Sequence, residues 1–488
     1  MTSATLVVGL VIGILFGVLP GMGPVLGVAL AIPFTFHLPP VPSIALLIGI
    51  YQGGNYGGAI TAAVLGIPGT PMAAATLLDA HPMALKGEAS EAVTLASVSS
   101  FFGTTFSAIV LIMVAPTLAE FALRFGPAET FSLALLGLTA IASLGQGSTL
   151  KGLVAGAFGL AVATIGNDPI TGLMRFNFGL TELQGGIGIV PMMMGIFAVS
   201  ELLMQVEAPL RAWQASERIG VRFREFRSLS RRFPGHLRAS TIGVVIGAIP
   251  AVGAVASSFL AYKLAKDFSS HPETFGKGER DGVVASEAAN SATTGGAMIP
   301  MLALGIPGDP VVAIMMGGLL IQGLTAGPSL FFTNIEVLTG IFAAFLVGAI
   351  LLLPIGLAAI SAFLRVLRTP FPLLLAGVLV LCVIGTFLVQ RFVVDLWQLW
   401  LFGVIGYGMR KTGYSVAAAS IGFVLGPVLE VNLRRATIIM SDDFVGYILG
   451  RPIAITILVL VALALAFPVV QGVVLDRRKN AAGARRPS

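Results

Sequence analysis

Leu65-Gly66-Ile67-Pro68-Gly69-Thr70-Pro71 recurs, with a single substitution, as Leu304-Gly305-Ile306-Pro307-Gly308-Asp309-Pro310. Both stretches interrupt long apolar runs, where proline ends a helix because it lacks an amide donor and clashes with the preceding turn. Thr70 and Asp309 are good N-cap residues, and the proline after each suits the first helical position. Each stretch therefore predicts a broken helix: a helix, a tight turn and a returning helix, arranged as a hairpin.

Further pairs of motifs keep the same order in the two halves of the chain at a nearly constant offset. Matches in register indicate a duplication rather than chance. The pairs are Gly17-Val-Leu-Pro20-Gly-Met-Gly23 with Gly247-Ala-Ile-Pro250-Ala-Val-Gly253, Gly57-Gly58 with Gly295-Gly296 and, more weakly, Gly156, Gly159 and Gly166 with Gly403, Gly406 and Gly413.

The duplication predicts the domain organisation. Residues 1–206 form a first repeat with its turn near 65–71, and residues 239–476 form a second with its turn near 304–310. An arginine-rich linker spans 207–238, and 477–488 form a tail. Duplicated halves are common in secondary transporters, where discontinuous helices from both repeats build a site near the bilayer midplane. We therefore expect inverted repeats and a transport function.

The composition indicates a membrane protein. Apolar residues make up 56% of the chain and charged residues only 11%, against about 45–50% and about 25% in soluble domains. Backbone in lipid must satisfy its own hydrogen bonds, so the roughly 20-residue apolar runs predict an all-α polytopic fold with about ten to fourteen elements at membrane depth. The first run lacks a basic leader, so it predicts a membrane helix rather than a signal peptide.

The net charge of +6 is concentrated in two polar segments. Loops rich in Lys and Arg stay cytoplasmic, so both segments should lie inside the cell. We favour a solvated, topology-setting loop for the central segment over a specific anion site, and its placement argues against nucleic acid. The basic residues are Arg211, Arg218, Arg222, Arg224, Arg227, Arg231, Arg232 and Arg238 in the linker, and Arg477, Arg478, Lys479, Arg485 and Arg486 in the tail.

Sequence motifs for catalysis or redox chemistry are lacking. Cys382 is the single cysteine, so an intrachain disulfide is impossible. The four histidines are scattered without a partner at metal-ligand spacing, and the chain has no Walker A, nucleophile-elbow or HExxH motif. We expect neither an enzyme nor a bound cofactor.

The two turns and the polar residues before them predict a substrate site. A helix N-terminus carries about half a positive charge and binds anions, so carboxylate solutes would suit it. The alternative is that small and hydroxyl side chains serve helix packing. The predicted substrate-binding residues are Asn55, Tyr56, Gly57, Gly58, Thr61, Pro68, Gly69 and Thr70 in the first half, and Asn290, Ser291, Gly295, Gly296, Pro307 and Gly308 in the second.

The two turns differ in charge. Thr70 is neutral and leaves its helix dipole free for a substrate anion, whereas Asp309 either satisfies its own dipole or helps to hold a cation. Carboxylates inside a membrane are costly, so Asp309 suggests function; Glu287 is one of the polar residues that precede the second turn. We predict that a coupling ion, Na⁺ or H⁺, acts in the second half. The candidate Na⁺ ligands are Asn290, Thr293, Thr294 and Asp309.

These motifs in combination resemble the large membrane subunit of the bacterial tripartite tricarboxylate transporters, over nearly the whole chain. The resemblance is incomplete at Asp309, where that family commonly has a small neutral residue. The matching stretches are Gly17-Val-Leu-Pro-Gly-Met-Gly-Pro24, Tyr56-Gly-Gly58, Leu65-Gly-Ile-Pro-Gly69, His271-Pro-Glu-Thr-Phe-Gly-Lys-Gly278, Glu287-Ala-Ala-Asn290, Gly295-Gly296 with Pro300, and Leu304-Gly-Ile-Pro-Gly308.

The resemblance implies a multi-pass permease of the bacterial inner membrane that works with a small four-helix membrane subunit and a periplasmic solute-binding protein. It also implies ion-driven uptake of organic acids such as citrate without ATP, and an elevator-like motion is expected from similar transporters. Two alternatives remain: a permease for another small solute, such as an aromatic compound or an amino acid, and a membrane enzyme or assembly scaffold.

Overall fold

A computed structural model describes residues 1–144, 149–207, 220–250, 253–366, 369–440, 443, 446–447 and 450–466. Arg211, Arg218 and the predicted tail at 477–488 lie outside these residues. Within them, strands are limited to the antiparallel pair β1 (Gly166–Asn167) and β2 (Met174–Arg175). The predicted all-α fold is confirmed.

The helices follow one another closely along the chain. Helical turns of other types occur at Pro71–Ala73, Ala84–Glu88, Thr181–Leu183, Met194–Val199, Phe223–Arg227 and Pro272–Thr274. The α-helices are α1 (Thr2–Val18), α2 (Gly23–Thr35), α3 (Pro40–Leu65), α4 (Ala74–Met83), α5 (Ala89–Ala122), α6 (Pro127–Leu144), α7 (Thr149–Ala163), α8 (Ile189–Met193), α9 (Ser200–Glu207), α10 (Ser228–Arg231), α11 (Phe233–Ala248), α12 (Gly253–Asp267), α13 (Arg280–Leu304), α14 (Pro310–Ile321), α15 (Leu330–Thr333), α16 (Ile335–Val366), α17 (Phe371–Gln390), α18 (Val393–Lys411), α19 (Val416–Met440) and α20 (Pro452–Ala466).

Several helical segments are suited to lipid. Five of the described segments are long and apolar enough to cross a bilayer: Pro71–Ala122, Ile189–Glu207, Ile335–Ala358, Pro372–Val389 and Val416–Ile439. Further helices of 10–17 residues are apolar but shorter, among them α1, α2, α7, α14 and α20. The chain is therefore a multi-pass membrane protein, as its composition predicts.

The chain folds into two compact units. Unit 1 comprises Met1–Leu123 and Ile187–Gly408, and unit 2 comprises Arg124–Gly186 and Met409–Ser488. Each predicted repeat contributes helices to both units, because the chain leaves unit 1 after α5 and again after α18. All the predicted site residues belong to unit 1.

Glycines bring α1 and α3 into backbone contact inside unit 1. A Cβ atom on Gly13 would lie 2.4 Å from the Ile50 carbonyl oxygen, and one on Gly53 would lie 2.5 Å from that of Leu10. Glycines repeat every fourth residue in both helices, at 9, 13 and 17 and at 49, 53 and 57. Small residues at this spacing let membrane helices approach closely, so α1 and α3 run side by side in parallel.

The second half repeats this arrangement. A Cβ atom on Gly243 of α11 would lie 2.5 Å from the Ala289 carbonyl oxygen of α13, and one on Gly247 would lie 2.7 Å from that of Thr293. Helix α5 packs along α13 in the same direction, because Gly103 meets Ala288 and a Cβ atom on Gly295 would lie 2.6 Å from Ser107 Oγ. Helix α13 therefore lies in a close-packed group with α5 and α11.

Helices α3 and α13 cross in opposite directions. The Asn290 amide nitrogen donates to the Asn55 carbonyl oxygen at 3.3 Å. One turn earlier on α3, Tyr51 donates to Asp309, whose neighbour Gly308 lies against Ala297, two turns after Asn290 on α13. An earlier position on one helix therefore faces a later position on the other, as expected for two antiparallel helices.

Unit 2 contains α6, α7, α19 and α20. A Cβ atom on Gly159 of α7 would lie 1.9 Å from the Ala419 carbonyl oxygen of α19. In unit 1, a Cβ atom on Gly406 of α18 would lie 2.8 Å from the Ile196 carbonyl oxygen. Gly159 and Gly406 belong to the weaker of the duplicated motifs, and each of them contacts a helical segment from the other half of the chain.

A charged loop follows α7 in unit 2. Asp168 accepts hydrogen bonds from the amides of Ile170 and Thr171, each at 2.9 Å, and from Arg434 at 2.6 Å. These donors, the Thr171 amide first, hold the pKa of Asp168 well below its usual range. Arg175 of the same loop also lies within ion-pair distance of Asp168, at 3.3 Å. Because Arg434 belongs to α19, its ion pair with Asp168 joins the loop to that helix.

Candidate functional site

The first break begins at Gly66, whose φ of 67° ends α3 in the left-handed conformation that glycine favours. The chain then doubles back along α3, and the Gly69 amide donates to the Gly58 carbonyl oxygen at 3.3 Å. A Cβ atom on Gly69 would lie 2.2 Å from the Gly17 carbonyl oxygen and 2.9 Å from Gly58 Cα. Only glycine fits at this point of close approach.

The geometry of the break differs from the expected helical hairpin. Helix α4 does not return along α3; it runs in the same direction. His81 near its end lies beside Gly66, and its Nδ1 is 3.2 Å from the Ala63 carbonyl oxygen. The returning arm is the extended segment 66–70. The sequence gives the physical reason, since a left-handed glycine followed by Pro68 cannot continue as helix.

The second break has the same form. Gly305, with φ of 73°, ends α13, and a Cβ atom on Gly308 would lie 2.6 Å from Ala297 Cα. The arm 305–309 therefore doubles back along α13, as 66–70 does along α3. Pro68 and Pro307 lie within these arms, where each lacks an amide donor for a continuing helix and disfavours helical backbone at the residue before it.

The two helix starts differ in how they are capped. Asp309 is the N-cap of α14, and its Oδ1 accepts from the Val312 amide at 2.8 Å. Thr70 occupies the N-cap position of Pro71–Ala73, but its hydroxyl makes no capping hydrogen bond. The two turns therefore differ in their hydrogen bonds, as predicted: Asp309 caps the start of α14, whereas the hydroxyl of Thr70 does not cap the helical segment that begins at Pro71.

Buried polar atoms without partners gather where α3 crosses α13. Hydrogen-bond partners within the described part of the chain are lacking for both amide atoms of Asn55, for Asn290 Oδ1 and for Thr70 Oγ1. All three side chains are buried. Buried polar atoms are normally paired in folded proteins, so these atoms are available to a ligand.

Glu287 lies beside this crossing and is completely buried. Its Oε1 accepts from Ser100 Oγ at 2.8 Å and from the Asn290 amide at 3.3 Å, and its Oε2 accepts from Thr76 Oγ1 at 2.9 Å. Ser291 Oγ is a more distant neighbour, at 3.5 Å. Among the residues the structure describes, no Lys, Arg or His pairs with this carboxylate. Its negative charge is met only by neutral donors.

Several of the predicted residues meet at the crossing. Asn55 and Asn290 contact each other there. Gly58 packs against Thr70, whose Oγ1 would lie 2.4 Å from a Cβ atom at position 58, and Thr61 Oγ1 lies next to Gly69. Ser291 is included through its contact with Glu287.

Four of the remaining predicted residues serve helix contacts. Tyr56 bonds to Ser97 Oγ at 2.7 Å, linking α3 to α5. Gly57 meets Gly17 in the contact with α1, Gly295 meets Ser107 of α5, and Gly296 meets Val244 of α11. For these four residues the geometry matches the packing alternative.

Among the hydrogen bonds of the described residues, none joins two members of the predicted Na⁺ site. Asp309 is engaged by Tyr51 and the Val312 amide. Thr293 and Thr294 donate to carbonyl oxygens of their own helix, those of Ala289 and Ser291. Nowhere in the described ranges do three or more His, Cys, Asp or Glu side chains cluster as metal ligands would.

The sequence did not assign a role to Glu287, Thr76 or Ser100. Glu287 could have been selected from the sequence as a carboxylate inside an apolar helix. Thr76 and Ser100 carry no such signal, because their part in the site depends on contacts across roughly two hundred residues of chain.

Comparison with known proteins identifies the family. A model of the tripartite tricarboxylate transporter TctA family matches residues 4–421. An Agrobacterium vitis protein, described as an uncharacterized 52.8 kDa protein in the TAR-I ttuC' 3' region, is 37% identical over 432 residues, 88% of this chain and 85% of its own length. A second, in the TAR-II ttuC' 3' region of the same organism, is 35% identical over 216 residues, 44% of this chain and 89% of its own length. No solved structure matches. The resemblance read from the sequence is confirmed, and the chain belongs to the tripartite tricarboxylate transporter TctA family.

Proposed function

We propose that this chain is the permease subunit of a binding-protein-dependent secondary transporter that imports organic di- and tricarboxylates across the bacterial inner membrane. A gradient of Na⁺ or H⁺ drives the uptake. Its partners are a small four-helix membrane subunit and a periplasmic solute-binding protein. Family membership gives the coarser statement, a membrane component of a tricarboxylate transporter; the solute, the gradient and the individual partners belong to the proposal.

One observation carries the proposal: the two breaks return to a single crossing where buried polar atoms lack partners. Asn55 and Thr70 offer an amide nitrogen and a hydroxyl there, both of which can donate to a carboxylate. The start of the helical segment at Pro71 adds backbone amides and the positive end of a helix dipole. A solute carboxylate bound at Thr70 would satisfy these groups together.

The coupling ion acts, in this proposal, through Glu287. A buried carboxylate without a cationic partner is costly in a membrane. A cation arriving at Glu287 would remove that cost and also reach Asn290, whose amide bonds to both Glu287 and the Asn55 carbonyl oxygen. This contact couples the ion to the solute residues. Asp309 is the rival carboxylate, but Tyr51 and the Val312 amide already satisfy it.

Uptake of labelled organic acids tests the function. Cells expressing the chain with its two partner subunits would be given citrate and smaller dicarboxylates while the Na⁺ and H⁺ gradients are collapsed in turn. We expect uptake that requires the binding protein and fails when one of the gradients is removed. Absence of uptake for every organic acid, with all partners present at normal levels, would refute the proposal.

Variants of the two carboxylates separate their roles. We expect Glu287→Gln to abolish the dependence of uptake on the coupling ion, and Asp309→Asn to retain it. Ser100→Ala removes one donor to Glu287. A donated hydrogen bond stabilises the ionised carboxylate and contributes less once a cation neutralises it, so its loss should raise ion affinity, by about tenfold or more for one hydrogen bond to a charged group. Ser99→Ala is the matched control, because the equally buried Ser99 bonds only to the Leu95 carbonyl oxygen. The reverse pattern, with ion dependence lost in Asp309→Asn, would assign coupling to the second break.

A further inference from the structure

An arginine-lined cavity lies at the end of unit 1 where α11 begins. It has a volume of about 350 Å³. The N-terminal ends of α11 and α13 and the segment after α12 form its walls. Its polar lining residues are Arg231, Arg232, Arg238, Ser269, Ser270 and Asp281. The cavity is remote from the crossing of α3 and α13 in sequence and shares no residue with it.

Positive charge in this cavity exceeds negative charge. Asp281 is its one acidic lining residue, and it pairs with Arg232 at 2.5 Å. For Arg231 and Arg238, both exposed, the described residues provide no carboxylate within ion-pair distance. Two guanidinium groups and two serine hydroxyls therefore face the opening without an anionic partner. Guanidinium groups bind phosphate through paired hydrogen bonds.

An exposed aromatic side chain lines the same cavity. Phe268 is 72% exposed, and the Arg238 guanidinium lies over its ring, 5.5 Å from the centroid. Two further exposed apolar residues of α11 adjoin the lining residues Pro234 and Arg238 in sequence: Phe233, 48% exposed, and Leu237. Exposed aromatic rings are unfavourable in water but typical of the interface between headgroups and acyl chains. A basic pocket with an apolar rim fits an amphiphile better than a soluble anion.

We propose that this cavity binds the phosphate-bearing headgroup of an anionic phospholipid, with the acyl chains lying along Phe233, Leu237 and Phe268. The loop is predicted to be cytoplasmic by its arginines, and basic pockets between helices on that side bind anionic headgroups. The bound lipid joins the ends of α11, α12 and α13. The arginine-rich segment, interpreted from the sequence as a topology signal, therefore also contains a binding site.

Removal of the two unpaired arginines tests the site. The probes are phosphatidylglycerol, phosphatidylcholine and inorganic phosphate, each added to the purified full-length chain, with lipid retention measured by native mass spectrometry. We expect the parent to retain phosphatidylglycerol in preference to phosphatidylcholine. Arg231→Gln with Arg238→Gln should lower phosphatidylglycerol affinity about 30-fold, at roughly one power of ten or less per surface arginine.

The matched control is Arg224→Gln with Arg227→Gln. This pair removes the same charge from the same segment but leaves the cavity lining intact. Ser270→Glu, at an exposed lining position, is a second test that does not depend on how the arginine variant folds, and it should also weaken binding.

Three outcomes would overturn the proposal. The first is equal retention of both lipids by the parent. The second is an equal loss of phosphatidylglycerol in the control pair, which would indicate a general charge effect. The third is competition by inorganic phosphate at concentrations near those of the lipid, which would identify a soluble anion as the ligand.

Discussion

Asp79 offers the sharpest test of how the first break is held. This buried residue of α4 accepts three backbone amides on Oδ1, those of Gly276, Gly278 and Glu279, each at 2.8 Å. Its Oδ2 accepts from the Tyr262 hydroxyl at 2.8 Å. One carboxylate therefore fastens the helix after the first break to the loop between α12 and α13.

The expected loss of stability follows from these four bonds. Asp79→Ala leaves four donors without an acceptor, at about 1–3 kcal/mol each when fully buried. The loop amides are only partly buried and water can reach some of them, so we expect a total of about 3–5 kcal/mol. Asp79→Asn keeps an acceptor and should lose about 1–2 kcal/mol, and Tyr262→Phe about 1 kcal/mol.

Cys382 provides the assay because it is the chain's single cysteine and is buried in α17. A thiol-reactive fluorophore reports its exposure as detergent-solubilised protein is heated. For a unit of this size, each kcal/mol of lost unfolding free energy lowers the thermal unfolding midpoint by about 1–2 °C. Asp79→Ala should therefore lower that midpoint by roughly 3–10 °C. Asp79→Asn and Tyr262→Phe should follow in that order.

A double-mutant comparison controls for unrelated damage. A Cβ atom on Gly282 would lie 2.1 Å from Asp79 Oδ2, so Gly282→Ala should destabilise the parent. The same change should cost less in the Asp79→Ala background, because the clashing oxygen is gone. A midpoint for Asp79→Ala within about 1 °C of the parent, or strictly additive effects of the two changes, would refute the anchoring role of Asp79.

Three further predictions concern other parts of the chain. Gly69→Ala should abolish uptake while the protein still inserts, because its Cβ atom would lie 2.2 Å from the Gly17 carbonyl oxygen. Gly377→Ala is the control in the uptake assay, because this helical glycine of α17 has open space around its Cβ position. Folding lowers the pKa of Asp168, so its stabilising contribution should be complete above about pH 4, the pKa of an unfolded aspartate, and should decrease as the pH falls below that value. Thermal unfolding midpoints measured as a function of pH should therefore decrease less at acidic pH in Asp168→Asn than in the parent. Gly159→Leu should prevent unit 2 from packing, since even a Cβ atom there would lie 1.9 Å from the Ala419 carbonyl oxygen, and increased protease sensitivity would report it.

The sequence predicted the breaks well because their signals are local. A helix-ending glycine and a proline each act within one turn of backbone, so Gly66 and Pro68 were sufficient. The direction of the chain after the break was not predictable in this way. It depends on which surface receives the extended arm, and the contact of Gly69 with Gly17 and Gly58 is tertiary.

The site was predicted in part for the same reason. Asn55 and Asn290 were selectable as amides inside apolar helices, and they meet. Tyr56 is also a polar residue inside an apolar helix, but its hydroxyl forms a hydrogen bond with Ser97 in a contact between two helices. Single-sequence reasoning finds polar residues at membrane depth; it cannot say which of them find partners across the fold.

The opposite directions of α3 and α13 have a consequence for access to the crossing. Each extended arm approaches from the C-terminal end of its own helix, and these ends point in opposite directions. Under the proposed function, withdrawal of the arm 66–70 would open the crossing from one direction, and withdrawal of 305–309 would open it from the other. A duplicated break of this geometry would meet the requirement of alternating access, two approaches of opposite orientation to one proposed site.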